Sequence, residues 1–222
     1  MKRSIRYKMQ MKSLNEFNSK HPRTDTFDIN IELDSVKKQI QLCSKCSLCE
    51  LKENKISSGE CFGKLLINCL HRTRFNKTIL FVGQNPSINR FDSQLRAFTG
   101  VDKLATLDKF KTSGDLFRLC IEKSLIKDYD LYVDNIVHCS TSNNDVPTQE
   151  HIDKCIDWIL LEIELLSPDL IVCLGNVVFD ILKDKVSTHK ITKIWHPAAC
   201  MHKGKDSIPE FIEQLNNLKK IV

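Results

Sequence analysis

A chain of 222 residues that is 41% hydrophobic and 27% charged can bury a substantial core, which excludes a disordered or fibrous protein. The net charge of +5 belongs to the start of the chain, where residues 1–24 hold seven Lys or Arg against one Glu and the remainder sums to −1. No apolar stretch is long enough for a secretion signal or a membrane span, which predicts a soluble, cytoplasmic protein without a membrane partner.

The basic start, taken as residues 1–30, is predicted to be a flexible tail, and residues 31–222 a single domain, because no repeat or low-complexity tract divides them. Such a tail can attract a phosphate backbone without reading its sequence. A loose, solubilising terminus accounts for the same charges equally well. A mitochondrial presequence is a third interpretation of this composition.

Further along the chain, four short apolar runs predict β-strands, at residues 78–83, 131–137, 170–175 and 190–195. Helical patterns at 114–124, 149–166 and 177–183 lie between them. Strands that alternate with helices favour parallel crossovers, so we expect a three-layer α/β/α fold around a central, mostly parallel four-stranded sheet. A functional crevice is then expected beyond the carboxyl ends of the strands.

Ten cysteines without a secretion signal indicate a reducing compartment, in which thiols stay available for metals or chemistry. Cys43 and Cys46 form a CxxC pair, whereas Cys139 and Cys155 lie far downstream with fifteen residues between them. A metal bound by all four would join an early segment to the body of the domain. Four thiolates suit either tetrahedral zinc or an iron–sulfur cluster, and the spacing does not choose between them.

The other cysteines are less informative. Cys120 and Cys173 lie in apolar helical or strand patterns and are predicted to be small buried hydrophobes. Cys49 forms an alternative CxxC pair with Cys46. No role is assigned to Cys49 or to the remaining residues Cys61, Cys69 and Cys200.

A series of motifs follows in one order along the chain: CSKCSLCE with CFG, ILFVGQNPS, RAFTG, DNIVHC, PDLIVCLG and WHPA. With these motifs, residues 40–204 resemble the uracil-DNA glycosylases of family 4, the iron–sulfur type. The resemblance implies that a [4Fe-4S] cluster is held by Cys43, Cys46, Cys139 and Cys155. Leu48 matches the family pattern CxxCxL, which selects the first CxxC pair. The cluster would be structural, because hydrolysis of an N-glycosidic bond moves no electrons.

The resemblance also implies roles for single side chains. His196, in the HP motif, would donate a hydrogen bond to uracil O2, where negative charge develops as the bond breaks. Asn135 would read O4 and N3–H of a flipped uracil, which its one donor and one acceptor match. Phe98 would stack on the extruded base and recover part of the unstacking cost. His138 occupies the place of a basic residue often seen in the family.

The main departure from the family is the turn after the first predicted strand. Family members usually have G-E-x-P-G, in which the acid is the expected base for water, whereas this chain has GQNPS at 83–87. Gly83 and Pro86 match substrate-binding positions, and Gln84 and Asn85 take the catalytic ones. Neither amide accepts a proton at ordinary pH. Asn85 can orient water, as asparagine does in other branches of the superfamily, so activity is expected to be weak or shifted toward other deaminated bases.

The segment AACMHKGK after His196 resembles the loop that enters the DNA groove beside the lesion. Pro197, Met201 and Lys203 are the implied DNA contacts, with Met201 as a wedge in the base stack and Lys203 on a phosphate. An ordinary exposed loop is the alternative. The chain has no lysine in the pocket motifs, so strand cleavage through a Schiff base is not expected.

Together these features predict a monofunctional DNA glycosylase of base-excision repair that acts as a monomer. It would flip uracil, or another deaminated base, out of DNA and hydrolyse its N-glycosidic bond. Its partner would be uracil-containing DNA, which would bring this cytoplasmic protein to the nucleoid. A glycosylase-like iron–sulfur protein that binds DNA or a modified base with little turnover is the alternative, and an unrelated zinc-stabilised α/β protein is the third hypothesis.

Overall fold

The computed structural model describes residues 33, 35–40, 42–49, 60–61, 77–86, 105–141 and 145–222. Its centre is a five-stranded sheet in the order β1-β3-β2-β4-β5. The strands are β1 (Glu60–Cys61), β2 (Thr78–Gly83), β3 (Asp130–Asn135), β4 (Leu170–Leu174) and β5 (Ile191–Ile194). Strands β2 to β5 are parallel, and the four predicted strands are confirmed. The short β1 pairs antiparallel with β3 and was not predicted, because two residues carry no periodicity.

Helices cover both faces of the sheet, which confirms the three-layer α/β/α fold. They are α1 (Ser113–Lys123), α2 (Gln149–Leu166), α3 (Asn176–Leu182), α4 (Pro197–Lys203) and α5 (Ile208–Leu218). One core cluster joins α2, α3 and the helical segment at 35–40 to one side of the strands, here called the α2 face. A second cluster joins α1, α4 and α5 to the other side, here called the α5 face.

The helix ends follow from capping residues in the sequence. Thr112 accepts a hydrogen bond from the Asp115 N–H at 2.8 Å and begins α1. Thr148 and His151 form a reciprocal capping box at the start of α2. Ser167 ends α2 in a left-handed conformation, with φ of 46°. The three helices predicted from periodicity are therefore present, with ends shifted by at most one residue.

The region after His196 differs from the prediction, because it is helical rather than a loop. His196 caps α4 by accepting a hydrogen bond from Ala198 N–H, and Pro197 fits the first turn, where its missing N–H costs nothing. Cys200 is buried against the α5 face. The amphipathic helix α5, with Phe211 and Leu215 fully buried, was also not predicted. In the part of the chain that the structure describes, no helix is long and apolar enough to cross a membrane.

Candidate active site

The carboxyl ends of the parallel strands bring together distant segments of the chain. Gly83, at the end of β2, pairs with Asn135, at the end of β3. Beyond the ladder, Ile136 N–H donates to Gly83 O at 3.0 Å, and Val137 N–H donates to Gln84 O at 2.9 Å. The GQNP turn is thus fixed by backbone hydrogen bonds beside Asn135.

Asn135 is buried without satisfying its side chain. It is 1% exposed. Among the described residues, neither its Nδ2 nor its Oδ1 has a hydrogen-bond partner. A buried polar group without a partner costs about 1–3 kcal/mol, so native structures seldom contain one. Strand alternation places Asn135 on the same side as Val133, which belongs to the α5 face. The carboxamide can therefore offer Nδ2 as a donor and Oδ1 as an acceptor to a ligand beyond the carboxyl ends of the strands.

Asn85 is oriented by the loop that follows Cys139. Its Nδ2 donates to Thr141 Oγ1 at 3.2 Å and to Pro86 O at 3.3 Å. Thr141 in turn donates to the Asp145 carbonyl. Because protein acceptors hold the amide nitrogen, the Oδ1 atom is the end that can accept a hydrogen bond from water.

Gln84, the other amide of the turn, is partly buried. Its Nε2 has no hydrogen-bond partner among the described residues. Two adjacent segments therefore carry amide atoms without a hydrogen-bond partner among the described residues, Gln84 Nε2 in the turn after β2 and both amide atoms of Asn135 on β3.

His196 follows β5 at the same edge of the sheet. Ala198 N–H donates to its Nδ1 at 3.1 Å, so the neutral ring carries its proton on Nε2. Burial lowers the pKa of His196 to about 4, which keeps the imidazole neutral at physiological pH. A neutral ring with Nε2–H is a hydrogen-bond donor that does not need to be charged.

The strand register relates His196 to Asn135. Val82 of β2 pairs with Cys173 of β4, and the next residue of β4, Leu174, pairs with Ile194 of β5. The carboxyl ends of β2, β4 and β5 are therefore level across the sheet. Three inter-strand steps separate β3 from β5, or about 14 Å of backbone. Both side chains thus lie at one edge, with the GQNP turn and Gly175 between them. Phe98, the predicted stacking residue, lies outside the described residues.

Two residues at this edge were not singled out from the sequence. Thr141 orients Asn85. In the sequence, the position of Thr141 in the polar run after Cys139 indicates only that it lies in a loop. Gly175 has φ of 99°, and a Cβ added there would lie 3.9 Å from His196 Cβ. Its place after an apolar strand was a detectable signal, because a strand-to-helix turn often requires glycine.

The predicted DNA contacts lie on or next to α4. Pro197 is buried, whereas Met201 is 39% exposed. Lys203 Nζ lies 3.3 Å from the centroid of the Trp195 ring, a cation–π contact that holds this side chain against the protein. Lys205 Nζ donates to Asp108 O at 2.6 Å and joins α4's end to residues 105–110. An exposed apolar side chain and two tethered lysines therefore adjoin His196.

The four cysteines of the predicted metal site belong to segments that pack on the α2 face. Cys46, Cys139 and Cys155 are part of its core cluster, and Cys43 is partly exposed. Lys45, within the CSKC segment, places Nζ 4.0 Å from the centroid of the Trp158 ring on α2. Four sulfur donors on a largely buried, apolar face fit a thiolate-bound metal centre.

Three other thiols, Cys120, Cys173 and Cys200, are core residues. Cys120 and Cys173 are fully buried, as predicted, and burial raises the pKa of each to about 12. Burial also raises the pKa of Cys200, which is 1% exposed. These three remain neutral thiols and fill the core.

Comparisons with known proteins show the family of this chain. Residues 71–219 match the model of the uracil DNA glycosylase superfamily. The chain is 29% identical over 198 residues to the type-4 uracil-DNA glycosylase of Thermotoga maritima, covering 86% of this chain and 88% of that protein. It is 26% identical over 192 residues to the type-4 uracil-DNA glycosylase of Archaeoglobus fulgidus, covering 77% and 84%.

Among solved structures, Pedobacter heparinus SMUG2 matches with a TM-score of 0.46 and 17% identity, over 65% of this chain and 75% of that one. The family match extends from before β2 to the residue after α5, and so includes every segment that forms the strand-end site. The chain therefore belongs to the uracil-DNA glycosylase superfamily.

Proposed function

We propose that this protein excises uracil from DNA by hydrolysing the N-glycosidic bond, and that Asn135 reads the flipped base. The buried carboxamide of Asn135 is the observation that carries the proposal, since neither amide atom has a partner among the described residues. Uracil offers O4 as an acceptor and N3–H as a donor, which would satisfy both atoms. The amino group of cytosine would meet the amide nitrogen instead, donor against donor, so cytosine is rejected.

His196 stabilises the leaving group. When the C1′–N1 bond breaks, its electron pair passes to the uracil ring and gathers on O2, while the sugar becomes cation-like. A fixed Nε2–H donor lowers the free energy of that anion without transferring a proton. The hydrogen bond from Ala198 N–H to Nδ1 selects the required tautomer, and the lowered pKa of His196 keeps the ring neutral.

Asn85 positions the attacking water. Its Nδ2 is held by Thr141 and Pro86, which leaves Oδ1 to accept a hydrogen bond from water beside the sugar. The water oxygen adds to C1′ of the cation-like sugar and loses its proton to solvent. Gln84 does not remove this proton, because an amide is not a base at ordinary pH.

Cys43, Cys46, Cys139 and Cys155 would hold a [4Fe-4S] cluster. A bound cluster supplies a covalent link between the early segment and the α/β body, and it takes no part in the hydrolysis. A brown protein with absorbance near 400 nm is expected. If the purified protein is colourless and contains zinc, the four cysteines hold zinc instead of the cluster, and the proposed reaction is unaltered.

Uracil-containing DNA is the proposed partner, bound by a monomer. Met201 wedges into the base stack from the exposed side of α4, beside His196. Residues 1–30, which lie outside the described residues, carry the basic excess that would attract the phosphate backbone, and residues 31–222 would be the catalytic domain. Binding to DNA would place the protein at the nucleoid.

The test is an oligonucleotide with one uracil, incubated with the protein and then with hot alkali, which cleaves the strand at an abasic site. Cleavage that depends on the protein and on uracil is expected, with none for thymine or cytosine at the same position. Strand breakage before alkali would contradict a monofunctional enzyme. The variant His189→Ala is the control for His196→Ala, because His189 precedes β5, at the opposite end of the strand from the site.

A protein that binds DNA with little turnover is the second candidate, and the turn at 83–86 favours it. Gln84 and Asn85 leave the turn without a carboxylate, and a general base is typically worth about 10²–10⁴-fold in rate. Binding of uracil-containing DNA with an intact strand after alkali, at high protein concentration, would establish this alternative. Substrates with hypoxanthine and xanthine distinguish it from a shifted base preference.

A further inference from the structure

A buried cluster of ionisable side chains lies on the α2 face, outside the proposed active site. Asp134, His138 and Glu162 place one ligand-type atom each within 4.8 Å of one another, and none is more than 1% exposed. His138 Nε2 lies 3.1 Å from Asp134 Oδ2 and 3.8 Å from Glu162 Oε2. Tyr132 donates to Glu162 Oε1 at 3.4 Å. This group is called the buried triad below.

The charges of the buried triad compensate one another. Burial alone would lower the pKa of His138, but Asp134 raises it well above its usual value. Burial opposes ionisation of Asp134, yet His138 and a hydrogen bond from Glu162 lower its pKa. Burial and the Asp134 charge raise the pKa of Glu162. Asp134 and His138 thus favour each other's charged form.

The triad connects the two segments that carry the downstream thiols. His138 immediately precedes Cys139, and Glu162 lies two turns after Cys155 on α2. The His138 and Cys155 side chains also interact, although His138 Nδ1 has no hydrogen-bond partner of standard geometry among the described residues. Nδ1 is therefore the ring atom available to a stronger acceptor. A metal-binding cysteine is a thiolate, which is a stronger acceptor than a thiol.

We propose that the buried triad holds Cys139 and Cys155 in place for the iron–sulfur cluster, with His138 hydrogen-bonded to the Cys155 sulfur. The inference rests on the cluster of the proposed function. Partners behind metal ligands fix ligand orientation, and removing one typically weakens metal binding by about 10–100-fold. A hydrogen bond to a ligand sulfur also makes a cluster easier to reduce, because it withdraws charge from the sulfur. Asp134, His138 and Glu162 are thus positioning residues.

The test compares the purified, cluster-bearing protein with His138→Phe, His138→Gln and Glu162→Gln. His189→Phe is the matched control, on a partly buried histidine far from the thiols. Iron per chain, the decay of the absorbance near 400 nm with a chelator, and the cluster's reduction potential are measured. We expect His138→Phe to lose iron about 10–100-fold faster and to have a lower potential. His138→Gln, which keeps a donor, should recover much of both, and His189→Phe should match the wild type.

Equal decay rates and potentials in His138→Phe and the wild type would overturn the proposal. If His138→Phe does not fold, Glu162→Gln decides, since an unchanged decay rate and potential there would also overturn it. More than four irons, or another metal, per chain would identify the triad as a metal site instead. Uracil excision is assayed in parallel, so a colourless but active wild type removes the cluster and this inference while the proposed reaction stands.

Discussion

Two neighbouring residues at the end of β3, Asp134 and Asn135, differ in the partners of their side chains. Asp134 lies on the α2 face, where it has His138 and Glu162 as partners inside the protein. Asn135 lies on the α5 face, where neither amide atom has a hydrogen-bond partner among the described residues. Both residues are almost completely buried. Burial alone therefore does not distinguish a structural polar residue from one that awaits a ligand, whereas a charged partner inside the protein does, which Asp134 has and Asn135 lacks among the described residues.

A residue that stabilises the fold and a residue that serves function thus lie on opposite sides of one strand. Pairing a buried charge avoids the large cost of an isolated one, and leaving a buried amide open weakens the free protein in exchange for binding a base. Substitutions in the buried triad should therefore alter unfolding and the metal centre. Substitution of Asn135 should alter catalysis while the fold is kept.

The largest expected effect is that of Asp134→Ala on stability. The substitution leaves the His138 imidazolium buried without its carboxylate, and breaking a buried ion pair from one side typically costs about 3–5 kcal/mol. Urea unfolding of the purified protein measures the loss. Asp153→Ala, at an exposed position of α2, is the control. A loss below about 1 kcal/mol would mean that the network adds little to the fold.

His196→Ala should slow uracil excision by about 10²–10³-fold, the usual loss when one donor to a developing anion is removed. Single-turnover rates on the uracil oligonucleotide measure it, with His189→Ala as the control. The unfolding free energy should fall by no more than about 1–2 kcal/mol, the contribution of a helix cap. A rate close to that of the wild type would show that another group stabilises the uracil anion.

Asn135→Ala should affect the two properties in opposite directions. Loss of two hydrogen bonds to the base should lower kcat/KM for uracil by about 10–100-fold. The free protein should keep its stability or gain about 1 kcal/mol, because an unsatisfied buried amide is removed. Activity and urea unfolding are measured on the same preparation. A large loss of stability would indicate that Asn135 is a structural residue like Asp134, and the comparison would fail.

Gln84→Glu tests whether the turn limits the rate. A carboxylate at this partly buried position should have a raised pKa and should accept a proton from water, so a gain of about tenfold is expected, below the ~10²–10⁴ of a well-placed base. Single-turnover rates above neutral pH measure it, with Gln84→Ala as the control for loss of the amide alone. A slower Gln84→Glu would mean that the amide contacts substrate.

The sequence predicted the parts of the fold that depend on local periodicity and the parts of the site that depend on motifs. Strands β2 to β5 and helix α2 have strong apolar patterns; Asn135 is the last residue of β3, and His196 lies two residues after β5. The helix α4 was taken for a loop, because its cap is a histidine and its length is seven residues. The role of Asp134 was not predicted, because its partners come from α2 and from the segment after β3. Sequence spacing does not show that these residues lie on the same face of the sheet.

The smallest expected effect concerns pH. Because burial lowers the pKa of His196 to about 4, the ring stays neutral and keeps its Nε2–H donor as the pH falls through the ordinary histidine range. The single-turnover rate of the wild type should therefore show no inflection near pH 6.5 that is due to His196. The pH profiles of the wild type and His196→Ala should have the same shape in this range. Stability behaves differently, since the unfolded chain takes up the proton first: His196 should cost stability progressively as the pH falls from about 6.5 to 4. An inflection near 6.5 in the wild type alone would show that the His196 ring is solvated in the DNA complex and titrates there as an ordinary histidine.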